Sequence, residues 1–145
     1  MAAPRGIRLN NPGNLQRNAT SWVGMSTMQD DPRFIRFDKP GDGLRALMKT
    51  ALTYYHKHGL DTVESIVNRW APPVENKTDS YAYSVALHMG VKRREVIDLT
   101  ERNTLIALAE AITIHENGHP AKGERIPKYW YDDSIYAEAA TSALT

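Results

Sequence analysis

The chain has no cysteine, which excludes disulfide bonds and every metal site that depends on thiolate ligands. It also lacks a run of the ~20 apolar residues that a membrane-spanning helix needs. Its first residues, MAAPRGIRLNNPGN, contain no apolar segment of the kind found in secretion signals. We therefore expect a protein made in the cytoplasm without a signal peptide, with no insertion into a membrane.

Neither sign of charge dominates the sequence, and the formal net charge is +1. Residues 1–60 hold nine Lys and Arg against four Asp, so the first part of the chain is mildly basic. This excess is far from the dense basic stripe that is typical of nucleic-acid binding proteins. We expect no nucleic-acid partner. A length of 145 residues suits a single domain, 1–145, and we expect a monomer.

The first forty residues are rich in turn formers, with NNPGN, DDP and DKPGDG interrupting the chain every few positions. Two short segments between these turns, SWVGM and RFIRF, have strand-like composition. RFIRF alternates apolar and basic side chains, which indicates a strand with one wet face. The pattern predicts a small β hairpin within residues 20–40.

From Asp42 onward the apolar residues recur at helical spacing. Gly59 and Gly90 mark the ends of two helices. Asp61 and Glu64 have the spacing of a capping box, and Thr78 is suited to cap the next helix. Helices are predicted at residues 42–59, 61–70, 78–90, 98–118 and 132–144. The expected fold class is mainly α with the small β hairpin near the start.

The stretch AITIHENGHP contains His115-Glu116-x-x-His119, the spacing of zinc metallopeptidases, and Glu138 could supply a third ligand. That reading requires both histidines on one helical face. Gly118 and Pro120 oppose this, because both residues favour the end of a helix before His119. We expect no bound metal and no cofactor, and a zinc peptidase stays as an alternative.

Glu116 without a metal is a carboxyl at the end of an apolar helix, where desolvation would suit it to general acid chemistry. The segment ALAEAITIHENG resembles the active-site helix of lysozyme-type muramidases and lytic transglycosylases. RGIRLNNPGNL and RFDKPGDGLRAL resemble small phage and prophage proteins that degrade peptidoglycan. NNPGNLQ is similar to an Asn-rich loop beside the cleft of related glucosaminidases, and NKTDSYAYSV resembles their Tyr-containing segment.

The resemblance implies a lysozyme-like fold in which the order of the segments is changed. In that superfamily the Glu helix precedes the β segment, whereas here the Asn-rich segment comes first. A circular permutation accounts for this order, since the termini of domains often lie close together. If no permutation has occurred, Glu64 or Glu75 becomes the candidate acid in place of Glu116.

The resemblance also implies the reaction. Glu116 would act as general acid/base on the β-1,4 bond between N-acetylmuramic acid and N-acetylglucosamine. A hydrolase usually needs a second carboxylate, and Asp30, Asp31, Asp38 and Asp79 are all available. A lytic transglycosylase can work with one Glu, because groups of the substrate assist. Hydrolysis and transglycosylation both remain open.

Substrate-binding residues follow from the same resemblance. Asn10, Asn11, Asn14 and Gln16 would hydrogen-bond to acetamido and hydroxyl groups, although such residues also form turns. Trp22 and Tyr81 would stack on sugar rings. With Glu116 on the floor of a cleft, the NNPGNLQ loop is expected to form one wall.

The implied partner is the glycan strand of peptidoglycan. The protein would then act on the cell wall or in the periplasm, released by a holin or carried in a phage virion. The remaining alternative is a virion structural or binding protein that has no enzymatic activity.

Overall fold

The computed structural model describes residues 3–71 and 78–145. Its architecture is mainly helical, as the apolar periodicity predicts. The six described helices, in chain order, are α1 (Arg5–Arg8), α2 (Pro40–His58), α3 (Val63–Trp70), α4 (Thr78–Met89), α5 (Arg102–Asn117) and α6 (Asp133–Leu144). None of these helices is long and apolar enough to cross a membrane.

Helix α5 lies at the centre of the molecule. It contacts α1, α2, α4 and α6, and its inward face is fully buried at Leu105, Leu108 and Ile112. Burying such side chains contributes about 1.5–3 kcal/mol each. The C-terminal end of α5 is therefore a rigid support for any side chain that it carries.

The ends of α5 are defined by two local features. Glu101 precedes the helix, and its carboxylate accepts hydrogen bonds from the backbone N–H groups of Asn103 and Thr104, which have no partner inside the helix. The helix ends at Asn117, where Gly118 adopts a φ of 74°. Helix α2 ends at His58 and is followed by Gly59, which adopts the left-handed conformation with a φ of 65°. Both glycine stop signals were read correctly from the sequence.

The predicted cap of α3 is wrong. The capping box of α3 is formed by Thr62 and Ser65, one residue later than the Asp61–Glu64 pair. Glu64 takes no part in the cap. Its carboxylate accepts hydrogen bonds from two arginines that follow α4. The hydroxyl of Thr78 donates to the carbonyl of Ala71 at 2.7 Å, so this side chain joins two segments of the chain.

Among residues 3–40, the β pairing consists of two isolated antiparallel bridges, Gln16 with Phe34 and Met25 with Phe37. The second bridge joins the two segments that were expected to form a hairpin. A continuous hairpin is not confirmed, because the described residues of this region pair only at these single positions. Ile35 and Phe37 are buried in a small second core, against which Trp22 packs.

Candidate functional site

Glu116 lies in the last turn of α5 and is partly exposed. The side-chain amide of Asn14 donates a hydrogen bond to its Oε1 atom at 2.8 Å. The two residues are 102 positions apart in the sequence. A hydrogen bond to a charged group is stronger than a neutral one and fixes its orientation. The structure thus brings together the Asn-rich loop and the Glu helix.

The Asn-rich loop is a constrained structure. Asn10 and Asn14 both have positive φ values, 54° and 52°, in the left-handed region that asparagine tolerates better than most residues. Asn11 is fully buried, and its amide donates to the carbonyls of Leu15 and Ile35 at 2.9 Å each. Asn11 therefore holds the loop in shape and does not face a ligand.

The other two predicted ligands of this loop have different positions. Asn10 donates to the carbonyls of Phe37 and Asp38 at 3.1 and 3.2 Å, so its amide is engaged within the protein. Gln16 is exposed, and its backbone forms one of the two β bridges. Among the polar side chains predicted to bind sugar, Asn14 is the one that reaches Glu116.

A second residue of α5 clamps the loop from the other side. The amide of Asn117 donates to the carbonyl of Pro12 and to that of Thr113, both at 2.9 Å. The indole N–H of Trp70 donates to the carbonyl of Gly13 at 3.3 Å. These bonds place the loop against α5. Asn117 is not among the predicted site residues, although its position directly after the candidate acid is a usable signal in the sequence.

Tyr81 and His115 form a stacked pair beside Glu116. Their ring centroids lie 3.7 Å apart at an interplanar angle of 22°. Burial raises the pKa of the Tyr81 phenol well above its ordinary value, and the nearby charge of Glu116 raises it further. Burial lowers the pKa of His115, while the charge of Glu116 opposes that effect. The sequence predicts for His115 only a role as a metal ligand or as a residue at the helix end.

The aromatic residues expected to stack on sugars are less available than predicted. Tyr81 is only 4% exposed, and His115 covers one face of its ring. This burial argues against a stacking role for Tyr81. Trp22 is partly buried and packs on the second core, around Ile35 and Phe37. Neither residue forms an open aromatic platform beside Glu116.

The candidates for a second carboxylate are mostly engaged elsewhere. The Arg36 guanidinium beside Asp30 lowers the pKa of that carboxyl, and two backbone N–H groups lower the pKa of Asp31. Hydrogen bonding to Arg93 lowers the pKa of Asp79. Asp38 is exposed. None of the four contacts Glu116 through a hydrogen bond among the described residues.

Of the two alternative acids, Glu64 is engaged by arginines. Hydrogen bonds from Arg94 and Arg93, at 2.7 and 2.8 Å, lower the pKa of Glu64 and hold it ionised. A carboxyl that stays ionised cannot donate a proton to a leaving group. Glu75 lies outside the described residues.

The zinc spacing is interrupted by the end of the helix. Because α5 stops at Asn117, His115 is helical and His119 is not. Glu138 lies on α6, beside a different surface hollow from the one that the two histidines line. Within residues 3–71 and 78–145, no group of three or more His, Asp or Glu side chains is placed to hold a metal ion.

The chain is similar to a protein of a bacterial virus. No protein-family model matches the chain. Over 119 residues it is 36% identical to protein P5 of Pseudoalteromonas phage PM2, a span that covers 80% of this chain and 72% of P5. The chain belongs to the protein P5 family. The aligned span covers most of both proteins, so the relationship is not confined to one local motif.

Proposed function

We propose that the protein is a peptidoglycan-cleaving glycosidase, a muramidase or lytic transglycosylase, with Glu116 as its general acid. The observation that carries the proposal is the 2.8 Å hydrogen bond between Asn14 and Glu116. It joins the two segments whose sequences resemble peptidoglycan-degrading proteins. If the two resemblances had arisen by chance, there would be no reason for these distant segments to contact the same carboxylate.

The proposal includes a lysozyme-like, circularly permuted fold. Support comes from α5, which is central, apolar and carries Glu116 in its last turn. The Asn-rich loop packs against that turn although it precedes α5 in the chain by about a hundred residues. This arrangement is what a permutation of segment order requires, since packing is kept while connectivity changes.

Glu116 would protonate the glycosidic oxygen as its bond to C1 of N-acetylmuramic acid breaks. In a transglycosylase, the oxygen of the C6 hydroxyl of the same sugar attacks C1, and the hydroxyl proton passes to the Glu116 carboxylate. The product contains an internal ether between C1 and C6. In a hydrolase, water takes the place of that hydroxyl. Asn14 orients the carboxylate, and the stacked pair Tyr81–His115 limits its movement on the other side.

The scarcity of a second carboxylate favours the transglycosylase form. The carboxylate oxygens of Asp30, Asp31 and Asp79 are each engaged by an arginine or by backbone N–H groups, and none of the three is hydrogen-bonded to Glu116 among the described residues. A reaction assisted by the substrate's own hydroxyl needs no such partner. The phage relative fits a setting in which the protein opens the bacterial wall, released by a holin or carried in a virion. Its partner would then be the glycan strand.

The test is the change Glu116→Gln, which keeps size and hydrogen bonding but removes the acidic proton. We expect the rate of release of soluble fragments from purified peptidoglycan to fall by about 10²–10⁴-fold, because general acid catalysis supplies about that factor. The matched control is Glu110→Gln on the same helix, where the carboxyl lies 3.2 Å from His88. That variant should cleave at the parent rate.

Two results would count against the proposal. Equal rates for Glu116→Gln and the parent would show that the acid lies elsewhere. A parent protein that binds peptidoglycan without cleaving it would favour the non-enzymatic virion protein. Activity that disappears with a chelator and returns with zinc would favour the peptidase, in which His115 and His119 are the first ligands to change.

A further inference from the structure

Four exposed arginines, Arg5, Arg8, Arg17 and Arg33, lie near the ring of Phe34, and we call them the arginine face. The guanidinium carbons of Arg5 and Arg33 lie 4.8 and 5.2 Å from the centre of that ring. The backbone N–H of Arg17 donates to the carbonyl of Arg33 at 2.8 Å. Arg8 lies on α1 together with Arg5. Arginines from three separate segments of the chain thus share one surface.

The arginine face is only partly neutralised by acids. Within residues 3–71 and 78–145, none of the four arginines forms an ion pair. Asp31 lies among them, but its carboxylate accepts hydrogen bonds from the backbone N–H groups of Arg33 and Phe34 at 2.9 and 2.8 Å. These bonds lower the pKa of Asp31, and the charges of Arg5 and Arg8 lower it further. Four cations near one acid leave the face positive.

A cluster of like charges of this kind favours an anionic partner. Positive charges that lie close together repel one another, and a bound anion relieves that repulsion. The planar guanidinium group also binds a carboxylate or phosphate through two parallel hydrogen bonds. The four arginines line none of five surface hollows of about 410–480 Å³. An extended polymer with repeated negative charges therefore suits this open face better than a small enclosed ligand does.

The arginine face adjoins the candidate site through α1 and the Asn-rich loop. Gly6 follows Arg5 in α1, and a methyl group on Gly6 would lie 2.7 Å from Oδ1 of Asn14. Asn14 donates its hydrogen bond to Glu116, and Arg17 follows Asn14 by three positions in the chain. A polymer bound on the arginine face is therefore beside the loop that contacts the candidate acid.

We propose that the arginine face binds the anionic polymer of the cell wall, through the carboxylates that its peptides distribute along the glycan, and holds the strand beside Glu116. The inference rests on the proposed function, because that function makes this polymer the substrate. Peptides with free carboxylates recur along the strand, so several arginines engage one strand together, and individually weak contacts add up. Anionic lipid surfaces and duplex DNA also carry repeated charges, but neither has a reason to lie next to the candidate acid.

The experiment measures binding to purified peptidoglycan by co-sedimentation, with Glu116→Gln protein so that no cleavage occurs. The comparison is the same peptidoglycan after its carboxylates have been converted to amides. At about 0.1 M salt we expect at least tenfold tighter binding to the native polymer. At about 1 M salt the difference should disappear, because the screening length falls from about 10 Å to about 3 Å.

Two pairs of substitutions test the arginines themselves, and thermal melts show which variants are folded. One pair is Arg17→Gln with Arg33→Gln, and the other is Arg5→Gln with Arg8→Gln. Each pair, added to Glu116→Gln, should weaken binding to native peptidoglycan about tenfold, because one exposed charge contact contributes a factor of about three. Neither pair should alter binding to the amidated polymer.

The matched control is Lys57→Gln with Lys92→Gln, which removes two exposed lysines outside the arginine face and changes the net charge equally. It should bind native peptidoglycan as the parent does. The inference is overturned if the control pair weakens binding as much as the arginine pairs, if the folded arginine pairs bind like the parent, or if native and amidated polymer bind equally. Tighter binding to phosphatidylglycerol vesicles or duplex DNA than to peptidoglycan, lost in the arginine pairs, would also overturn it.

Cleavage is a separate readout from binding. A parent protein that binds peptidoglycan through the arginine face but does not cleave it would contradict the proposed function alone. A parent that cleaves, with arginine pairs that bind normally, would contradict this inference alone.

Discussion

At the scale of single residues, the contact between Asn14 and Glu116 has the most consequence. The backbone of Asn14 is in the left-handed region, so most replacements would add strain to the loss of the hydrogen bond. Glycine avoids this, because it adopts positive φ values without a steric penalty. Asn14→Gly is therefore the replacement that isolates the side chain.

We expect Asn14→Gly to lower the rate of peptidoglycan cleavage by about tenfold, since a hydrogen bond to a charged group at a partly exposed site is worth about 1.5 kcal/mol. The free energy of unfolding should fall by no more than that amount, because glycine relieves the left-handed strain at this position. Asn18→Gly, at an exposed position of the same segment, is the control and should leave the rate unchanged. A parent-like rate for Asn14→Gly would mean that Glu116 needs no orientation from this loop.

His115 gives a prediction about stability and pH. Burial lowers its pKa in the folded protein, so the unfolded chain takes up a proton first as the pH falls through about 6.5. The stability that neutral His115 provides is present above that pH and is lost below it. His115→Phe keeps an aromatic ring against Tyr81 but cannot titrate.

Thermal melts at pH 7.5 and 5.5 should therefore show a smaller loss for His115→Phe than for the parent. The difference should be small, because the ring is largely solvated. The exposed residue His58 provides the control, and His58→Phe should lose as much stability as the parent. An equal loss of stability in all three proteins would show that His115 does not contribute to the pH dependence of stability.

At the scale of elements, the short helix α1 seats the loop and α5 against each other. A methyl group on Gly6 would lie 2.5 Å from Oδ1 of Asn117 and 2.7 Å from Oδ1 of Asn14. Both atoms belong to side chains that position the candidate site. Only a residue without a side chain permits this approach.

Gly6→Ala should lower the free energy of unfolding by about 1–3 kcal/mol, the usual range for overpacking, and should reduce cleavage as well. Gly41→Ala is the matched control, because a methyl group there meets no atom within 4 Å. Chemical denaturation of both variants measures the difference. If Gly6→Ala were as stable as Gly41→Ala, the packing of α1 on α5 would be looser than described.

The helical elements could be predicted because their signals are local. The apolar period of α2 and α5 and the stop at Gly59 need no knowledge of the rest of the chain. The predicted cap of α3 is misplaced because Arg93 binds the carboxylate of Glu64, which local spacing assigns to a capping box. Such binding depends on tertiary contacts, which local spacing does not contain.

The candidate site was predictable only in part, for a similar reason. Asn11 and Asn14 are equally polar in the sequence, yet one is buried within the loop and the other meets Glu116. The difference arises from the left-handed turn at Asn14, which composition does not reveal. The resemblance predicts that Tyr81 stacks on a sugar ring, but α4 places it against His115.

At the scale of the whole molecule, the chain and protein P5 share 36% identity over most of their lengths. We propose that the fold holds Glu116 against a glycan strand. That claim concerns a particular bond, so it is best tested on the products.

The most direct measurement is mass spectrometry of the soluble fragments that the parent protein releases from purified peptidoglycan. We expect fragments cut between N-acetylmuramic acid and N-acetylglucosamine, with the internal ether at C1 and C6 that a transglycosylase forms. A reducing end at the same position would identify a hydrolase and would still support cleavage of the glycan strand. Fragments cut only within the peptide, or no fragments at all, would contradict it.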